Sequence, residues 1–349
     1  MKIAQVAPLV ESVPPSLYGG TERVVSYLTD ELVAQGHDVT LFASGDSRTR
    51  ATLVSVCPRS LRLDPDCRDQ LAWHILQMAQ VAARADQFDI IHFHIAGIHF
   101  PLVRLLGVPH VTTLHGRLDL PELVPLFAEF GDVPVISISD AQREPLPHAN
   151  WLATIHHGLP DGLVRFDPHG GGYLAFLGRV SAEKRVDRAI AIATALGWPL
   201  KIAAKVDQAD VDYFERDIHP LLDNPLVDFI GEIGEADKSA FLGGARALLF
   251  PIDWPEPFGL VMIEALACGT PVVAFRGGSV EEVLDDGVTG FIVDTLEEAI
   301  EATSRIDAID RHACRRTFET RFTATRMAQE HVGHFGQAIE AAAKPVATV

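Results

Sequence analysis

Cysteines and basic residues are scarce in this sequence, and both scarcities narrow the classes of protein it can encode. The four cysteines, Cys57, Cys67, Cys268 and Cys314, show no Cys-x-x-Cys spacing. This argues against a disulfide scaffold or a zinc site and favours a reducing cytoplasm. Only 29 Lys and Arg stand against 47 Asp and Glu, for a net charge of -18. A chain this acidic is not expected to bind nucleic acid or to dock broadly on anionic lipid.

Long apolar runs are missing as well. No segment offers the roughly 18 consecutive apolar residues that a membrane span requires. The first residues form a short strand broken by Pro8 and lack the apolar core of a signal peptide. What remains, 349 residues with 48% hydrophobic and 22% charged side chains, is ordinary globular composition. At about 150 residues per domain, this length predicts two domains.

Short apolar runs alternate with longer segments of helical period, which predicts an α/β fold with parallel sheets. Between the first two strands, Thr21 to Gln35 carries the apolar stripe of a helix that Gly36 ends. A plausible helix follows each strand of the second series. Strands are predicted near residues 2–7, 38–43, 89–93, 109–114, 133–137 and 152–156, and then near 173–178, 200–204, 227–230, 247–250, 271–274 and 289–293.

The two series predict two doubly wound, Rossmann-like domains that face a central cleft, where ligands of such sheets bind. Three consecutive glycines at residues 170–172 are the clearest linker. We therefore predict an N-terminal domain over residues 1–168 and a C-terminal domain over 169–320. An amphipathic helix within 321–349 is expected to pack on one of them, with the N-terminal domain favoured.

Two carboxylates eight positions apart, Glu256 and Glu264, bracket an apolar segment. A buried carboxylate such as Glu264 needs a partner. Pro257 and Gly259 suit a tight entry into a helix that begins near residue 259, and such a helix end attracts phosphate or developing negative charge. A loop Glu followed by a core Glu paired with Lys or Arg explains the same pattern, so the segment alone leaves both interpretations open.

Cationic residues follow the first two strands of the second series. Arg179 can bind two phosphate oxygens at once and Lys184 adds a mobile point charge, a combination that suits a diphosphate. Lys205, at the end of the next strand, is a third candidate. Taken alone, the same residues also fit a solvated helix start with surface charges.

Glycines and a histidine mark further strand ends. Gly19–Gly20 precedes the first helix, where the backbone can approach a ligand closely, but it is not the dinucleotide-binding Gly-x-Gly-x-x-Gly fingerprint. His115 ends a strand and could donate to a hydroxyl or phosphate. Gly231 with Ile233, and Gly277–Gly278, predict later close-approach turns. Plain turns and a structural histidine are the alternatives at these positions.

Two patterns invite a metal interpretation that we reject. His92 and His94 alternate along one strand face, but no carboxylate at ligand spacing accompanies them. Asp64-Pro65-Asp66 and Asp210-Val211-Asp212 resemble metal-binding pairs, yet neither follows a convincing strand end. We expect no bound metal.

In their order and spacing, these elements resemble the family 4 retaining glycosyltransferases of the GT-B fold over nearly the whole chain. The Glu256-to-Glu264 element and the segment from Ala267 to Val273 are the most specific parts. The resemblance implies a nucleotide-sugar donor bound mainly by the C-terminal domain and an acceptor held chiefly by the N-terminal one. It implies no cofactor besides the donor.

The resemblance also implies roles for individual residues. Arg179 and Lys184 would hold the diphosphate, Glu264 would accept from the ribose hydroxyls, and Glu256 would contact the sugar. Backbone N–H groups of Phe258, Gly259 and Leu260 would surround sugar and phosphate, and those of Gly19 and Gly20 would approach from the other domain. The loop around Gly231 and Ile233 would read the base. His115 would touch the sugar near its 6-position.

The implied function is hexosyl transfer with retention of anomeric configuration. UDP-glucose is the favoured donor because it is common in the family, with GDP-mannose and others open. The compact, acidic chain favours a small soluble acceptor over a lipid. Two alternatives remain, an NAD-independent UDP-sugar epimerase and a catalytically silent nucleotide-sugar-binding protein.

Overall fold

The computed structural model describes residues 1–343 and divides the chain into two compact units. Among the described residues, the first unit comprises 1–158 together with 324–343, and the second comprises Leu159–Thr323. The sequence placed the boundary after residue 168 and a separate helical segment after residue 320. In the structure, residues 159–168 belong to the second unit and the final helix belongs to the first.

Thirteen strands in the described residues form two sheets, and every predicted strand overlaps one of them. The strands are β1 (Lys2–Val6), β2 (Asp38–Phe42), β3 (Thr52–Val54), β4 (Ile90–Phe93), β5 (His110–Thr113), β6 (Val135–Ser137), β7 (Trp151–Thr154), β8 (Tyr173–Val180), β9 (Leu200–Val206), β10 (Val227–Gly231), β11 (Ala245–Phe250), β12 (Val272–Phe275) and β13 (Gly290–Val293). The three-residue strand β3 was not predicted.

Twelve helices in the described residues lie between or after these strands. They are α1 (Gly20–Ala34), α2 (Gln70–Ala82), α3 (Phe100–Leu106), α4 (Leu123–Glu129), α5 (Val186–Leu196), α6 (Val211–Tyr213), α7 (Glu235–Gly243), α8 (Leu260–Cys268), α9 (Val280–Val283), α10 (Leu296–Ser304), α11 (Arg311–Arg321) and α12 (Ala324–Ala343). Within residues 1–343, no helix combines the length and the apolar character that crossing a bilayer demands.

The first unit is a parallel sheet in the order β3-β2-β1-β4-β5-β6-β7. Its inner strands β4 and β6 are buried, as is the stripe of α1 that includes Val25, Leu28 and Leu32. Helix α12 returns to this unit and packs against α1, β4 and β5. Its buried face includes His331 and Phe335.

The second unit is a parallel sheet in the order β10-β9-β8-β11-β12-β13. The predicted α/β fold, with two Rossmann-like domains, is therefore confirmed. One expectation was wrong: no single helix joins β9 to β10. That connection consists of a 3-10 turn (Gln208–Asp210), α6, a π-helical turn (Phe214–Ile218) and a second 3-10 turn (His219–Asp223). Pro220 contributes to the break because it has no backbone N–H to donate.

Candidate functional site

The predicted donor residues of the second unit lie where the strand order reverses. From β8, the chain goes to β9 on one side of the sheet and later to β11 on the other. In parallel α/β sheets, ligands bind beyond the carboxyl ends of the strands at such a reversal. Arg179 lies near the end of β8 and pairs in register with Lys205 of β9, while Glu256 lies in the loop that follows β11. The topology thus brings these three side chains to one edge of the sheet.

Helix α8 begins at Leu260, close to the predicted start. Its N-cap is Gly259, whose φ of 74° lies in the left-handed region, and no side chain among residues 1–343 caps the helix. A Cβ at Gly259 would approach the Met262 Cε to 2.8 Å. The turn therefore depends on glycine, and the first N–H groups of α8 retain their capacity to bind an anion.

Glu256 and Lys184, predicted to have separate roles, form a direct ion pair. The Lys184 ammonium donates to Glu256 Oε2, and the Trp254 indole N–H donates to the same oxygen over 3.0 Å. The ammonium lies 4.9 Å from the centroid of the Trp254 ring and 5.7 Å from that of Phe250. Glu256 is 8% exposed. A cation and a carboxylate are thus fixed together beside the start of α8.

The Gly277–Gly278 turn makes its close approach to the protein itself. Gly278 has a φ of 54°, and a Cβ there would lie 2.2 Å from the Glu256 carbonyl oxygen. Next to it, the Ser279 N–H donates to that oxygen over 2.9 Å, and the Ser279 hydroxyl donates to the Phe258 carbonyl over 2.8 Å. Through these contacts, the turn supports the loop that leads into α8.

Arg179 is surrounded by carboxylates. Its Nη2 donates to Glu183 Oε1 over 2.7 Å. Its Nη1 lies 3.9 Å from Asp207 Oδ2 and its Nε lies 3.7 Å from Asp210 Oδ2. Lys205 is held by Asp207, with 2.8 Å between Nζ and Oδ1. All three predicted cations of the donor site, Lys184 included, therefore face protein carboxylates.

Glu264 is almost fully buried and has a cationic partner that the sequence analysis did not identify. The Lys238 Nζ of α7 lies 2.6 Å from Glu264 Oε1 and 3.5 Å from Glu235 Oε2. The sequence interpretation that paired a core Glu with Lys or Arg thus describes part of what is observed. Lys238 lies in α7, the helix that follows the loop of Gly231 and Ile233, so the pair links this helix to the predicted ribose anchor.

The loop at Gly231 has the open backbone that close approach requires. Gly231 has a φ of 75°, and no described atom lies within 4 Å of the position that a Cβ would occupy. The pairing of β10 with β9 shifts register between Phe229 and Gly231. Ile233 follows, half-buried, before α7 begins.

Gly19–Gly20 precedes α1 in the first unit, as predicted, with Gly19 as N-cap and Gly20 as the first helical residue. A Cβ at Gly19 would lie 2.8 Å from Pro15 Cβ, so the turn has no room for a side chain. Burial raises the pKa of Glu22 in the first turn of the helix.

His115 belongs to a buried histidine cluster rather than standing alone. Since the Gln5 side-chain oxygen can only accept, His94 Nε2–H donates to it over 2.6 Å. His94 Nδ1 then accepts from His115 Nε2–H over 2.9 Å. His115 Nδ1 is buried without a hydrogen-bond partner among the described residues. Contact between a ring nitrogen and a sugar hydroxyl therefore requires the ring to turn.

Three more histidines complete the cluster. His157 stacks on His115 with 5.3 Å between ring centroids. His92 Nε2 lies 2.7 Å from Thr113 Oγ1, which lies 3.4 Å from His331 Nε2. Burial lowers the pKa of all five imidazoles, to about 3 at His115 and about 4 at His331. The cluster is therefore neutral at physiological pH.

A cavity of about 360 Å³ lies beside this cluster in the first unit. Thr21, His74, His94, His115 and Gly116 contribute to its lining. No group of three or more His, Cys, Asp or Glu side chains in the described part of the chain has a geometry that could hold a metal ion.

Several residues that support the predicted site residues were not predicted from the sequence. Trp254 lies two positions before Glu256, and an indole so close to a predicted site carboxylate was a usable signal. Lys238, His157 and His331 gave no comparable local signal, because their partners are distant in sequence.

Comparison with known proteins identifies the family of this chain. The family model described as Glycosyltransferase Family 4 matches residues 18–197, and that described as Glycosyl transferases group 1 matches residues 166–311. Glycogen synthase of Mycobacterium tuberculosis is 26% identical over 331 residues, covering 79% of each chain. D-inositol 3-phosphate glycosyltransferase of Saccharomonospora viridis is 27% identical, covering 91% of this chain and 86% of its own.

Among solved structures, HepE of Anabaena in complex with UDP and glucose shares the fold with a TM-score of 0.75. It is 19% identical and covers 97% of this chain and 100% of its own. Together with the two parallel-sheet units, these matches show that the chain is a glycosyltransferase with the GT-B fold and belongs to glycosyltransferase family 4.

Proposed function

We propose that this protein is a retaining hexosyltransferase that moves glucose from UDP-glucose to a hydroxyl of a small soluble acceptor. The observation that carries the proposal is the Lys184–Glu256 pair beside the N-terminus of α8. It brings a cation from the loop after β8 together with a carboxylate and a helix start from the segment after β11. Such a combination suits a donor in which the bond between the sugar and the diphosphate is cleaved during the reaction.

The leaving diphosphate would be stabilised by the cations and the helix start of the site. Lys184 and Arg179 supply full positive charges, and the N-terminus of α8 adds a partial one. Negative charge grows on the diphosphate as the bond to the sugar C1 breaks, so these groups favour the transition state over the bound donor. Glu256, held at Oε2 by Lys184 and Trp254, would accept hydrogen bonds from sugar hydroxyls.

The nucleoside would lie between the Gly231 loop and α8. Glu264 would accept from the ribose hydroxyls, with Lys238 fixing its carboxylate. The open backbone at Gly231, followed by Ile233, would read the base.

Glucose and uridine are supported by the relatives. HepE of Anabaena has been solved with UDP and glucose and with UDP-glucose. The M. tuberculosis relative is a glycogen synthase. The acidity of the chain and its limited length support a small soluble acceptor.

Retention would follow from a front-face path. The C1–phosphate bond breaks, the acceptor oxygen bonds to C1 on the same face, and the acceptor proton passes to a phosphate oxygen of the leaving group. The support is that the charged groups of the site suit leaving-group stabilisation. We propose that the reaction needs no metal, so that EDTA leaves the rate unchanged.

A cytoplasmic location is part of the proposal. All four cysteines are free thiols. Burial raises the pKa of Cys57 to about 11 and those of Cys268 and Cys314 to about 12, which keeps these thiols protonated and unreactive.

A two-step experiment tests the proposal. Thermal shift with UDP- and GDP-sugars identifies the donor, and mass spectrometry of reactions with a metabolite extract then identifies the product, whose anomeric configuration is read by NMR. We expect the largest shift with UDP-glucose and acceptor-stimulated release of UDP. Conversion of UDP-glucose to another UDP-sugar without an acceptor would support the epimerase instead. Binding without turnover across a broad acceptor panel would support a silent binding protein.

A further inference from the structure

Two of the three carboxylates around Arg179 differ from the third in the kind of contact they make. Glu183 accepts a hydrogen bond of 2.7 Å, which fixes the orientation of the guanidinium. Asp207 and Asp210 lie 3.9 and 3.7 Å from the nearest guanidinium nitrogens, beyond hydrogen-bond distance. They therefore contribute negative charge to the guanidinium without orienting it.

The longer contact leaves hydrogen-bonding capacity unused. Arg179 Nε and Asp210 Oδ2 are both buried, and neither has a hydrogen-bond partner among the described residues. A buried N–H of a guanidinium without an acceptor is costly and uncommon in a settled ion pair. An oxygen placed closer to Nε than Asp210 Oδ2 would satisfy this donor.

The negative charge of these aspartates also acts on Lys205, the neighbouring cation. Asp207 also binds Lys205, so Arg179 and Lys205 together face three carboxylates. A diphosphate that enters this site meets a surplus of negative charge unless the aspartates give way.

The two aspartates belong to a segment whose backbone can change conformation. They bound the first 3-10 turn of the β9–β10 connection, which continues through α6 and a π-helical turn. Such short turns carry few continuous backbone hydrogen bonds. Neither aspartate caps a helical turn with its side chain in the described chain, so its carboxylate is not needed to hold the turn.

We propose that Asp207 and Asp210 pair with Arg179 and Lys205 as internal substitutes for phosphate, and that the diphosphate of the donor displaces them. They thereby set the affinity for nucleoside diphosphates. The inference rests on the proposed function, since it assigns Arg179 to the donor diphosphate.

Calorimetric titration with UDP, inorganic pyrophosphate and uridine tests this directly. Asp207→Asn, Asp210→Asn and the double variant remove charge while keeping side-chain size. We expect UDP and pyrophosphate to bind about 3- to 10-fold more tightly to each single variant, the scale of one partly exposed ion pair. Uridine, which has no phosphate, should bind unchanged. Asp307→Asn, which removes a carboxylate paired with Arg246 in the same unit, is the matched control and should bind UDP as the wild type does.

Weaker or unchanged UDP binding in both aspartate variants, with folding intact by circular dichroism, would overturn the inference. Asp210→Ser repeats the measurement if asparagine disturbs the turn. Arg179→Ala distinguishes a failure of the donor assignment from a failure of the role proposed for the aspartates. If the wild type binds UDP and this variant does not, the donor assignment stands and the aspartate result alone decides the inference. If the wild type does not bind UDP, the proposed function fails and the inference fails with it.

Discussion

Lys238 of α7 and Glu264 of α8 form an ion pair, with 2.6 Å between Nζ and Oε1 and only 4% of the Glu264 side chain exposed. A carboxylate buried to this extent is tolerated because a cation opposes it. The pair therefore ties two helices of the second unit together and also fixes the side chain proposed to bind ribose.

Lys238→Met should destabilise the second unit by about 3 kcal/mol, because it leaves a buried carboxylate without its counter-charge. Urea denaturation measures the loss. The double variant Lys238→Met with Glu264→Met should recover most of the stability, since it removes both charges. A double variant no more stable than Lys238→Met would show that the pair contributes through packing and not through charge.

Lys184→Ala and Arg179→Ala should each lower turnover by at least about 10²-fold, the scale for losing one preorganised electrostatic donor. The measurement is kcat with the donor identified by thermal shift. Lys201→Ala, which removes a cation that lies over the Tyr173 ring, is a control for loss of a positive charge and should keep normal turnover. Near-normal turnover in both site variants would remove the diphosphate assignment.

Gly278→Ala should abolish most activity, because its Cβ would collide with the Glu256 backbone and push that loop away. Gly287→Ala is the matched control. Gly287 also has a positive φ, of 73°, but no described atom lies within 4 Å of its would-be Cβ. Backbone strain should cost each variant about 1 kcal/mol of stability, and the collision should cost Gly278→Ala more. Only Gly278→Ala should lose turnover, and equal turnover in the two would contradict the supporting role of the turn.

Stability should fall as the pH drops below about 6.5, where the histidines of an unfolded chain take up protons. In the folded protein the pKa values of His115 and His331 are lowered to about 3 and about 4, and those of His92, His94 and His157 lie well below the usual value. Between these limits the unfolded state binds more protons than the folded one. Each such histidine then lowers the free energy of unfolding by about 1.4 kcal/mol per pH unit.

Urea denaturation at pH 7.5, 6.5, 6.0 and 5.5 measures that slope. His331→Gln should reduce the total loss of stability between pH 7.5 and 5.5 by about 1.4 kcal/mol, because it removes one of the histidines that take up a proton on unfolding. Met327→Leu, a substitution in the same buried face of α12, should change stability without changing the slope. A stability that stays constant over this range would contradict the neutral, buried state of the cluster.

The sequence predicted the sheets well because buried parallel strands are continuous apolar runs between turn residues. Strand β3 was not predicted because it is a three-residue edge strand whose side chains are at most partly buried. It therefore has no apolar run to recognise. The β9–β10 connection was taken for a helix because local period does not show where a crossover breaks into shorter turns.

The parts of the candidate site whose residues are close together in sequence were predictable. The parts that depend on how helices and strands pack were not. Gly259 and Glu256 lie within one short segment, so their spacing indicates the helix start. The pairing of Lys238 with Glu264 depends on which faces of α7 and α8 meet, and the pairing of Arg179 with Asp210 depends on strand order. Neither relationship has a sequence spacing of its own.

The return of α12 to the first unit makes that unit discontinuous along the chain, and this affects the order of folding during synthesis. The second unit, Leu159–Thr323, is uninterrupted and can complete its sheet as soon as it leaves the ribosome. The first unit begins earlier but lacks the helix that covers β4 and β5 until residues 324–343 emerge. A nascent chain would thus finish its later domain before its earlier one, the reverse of the usual N-to-C order.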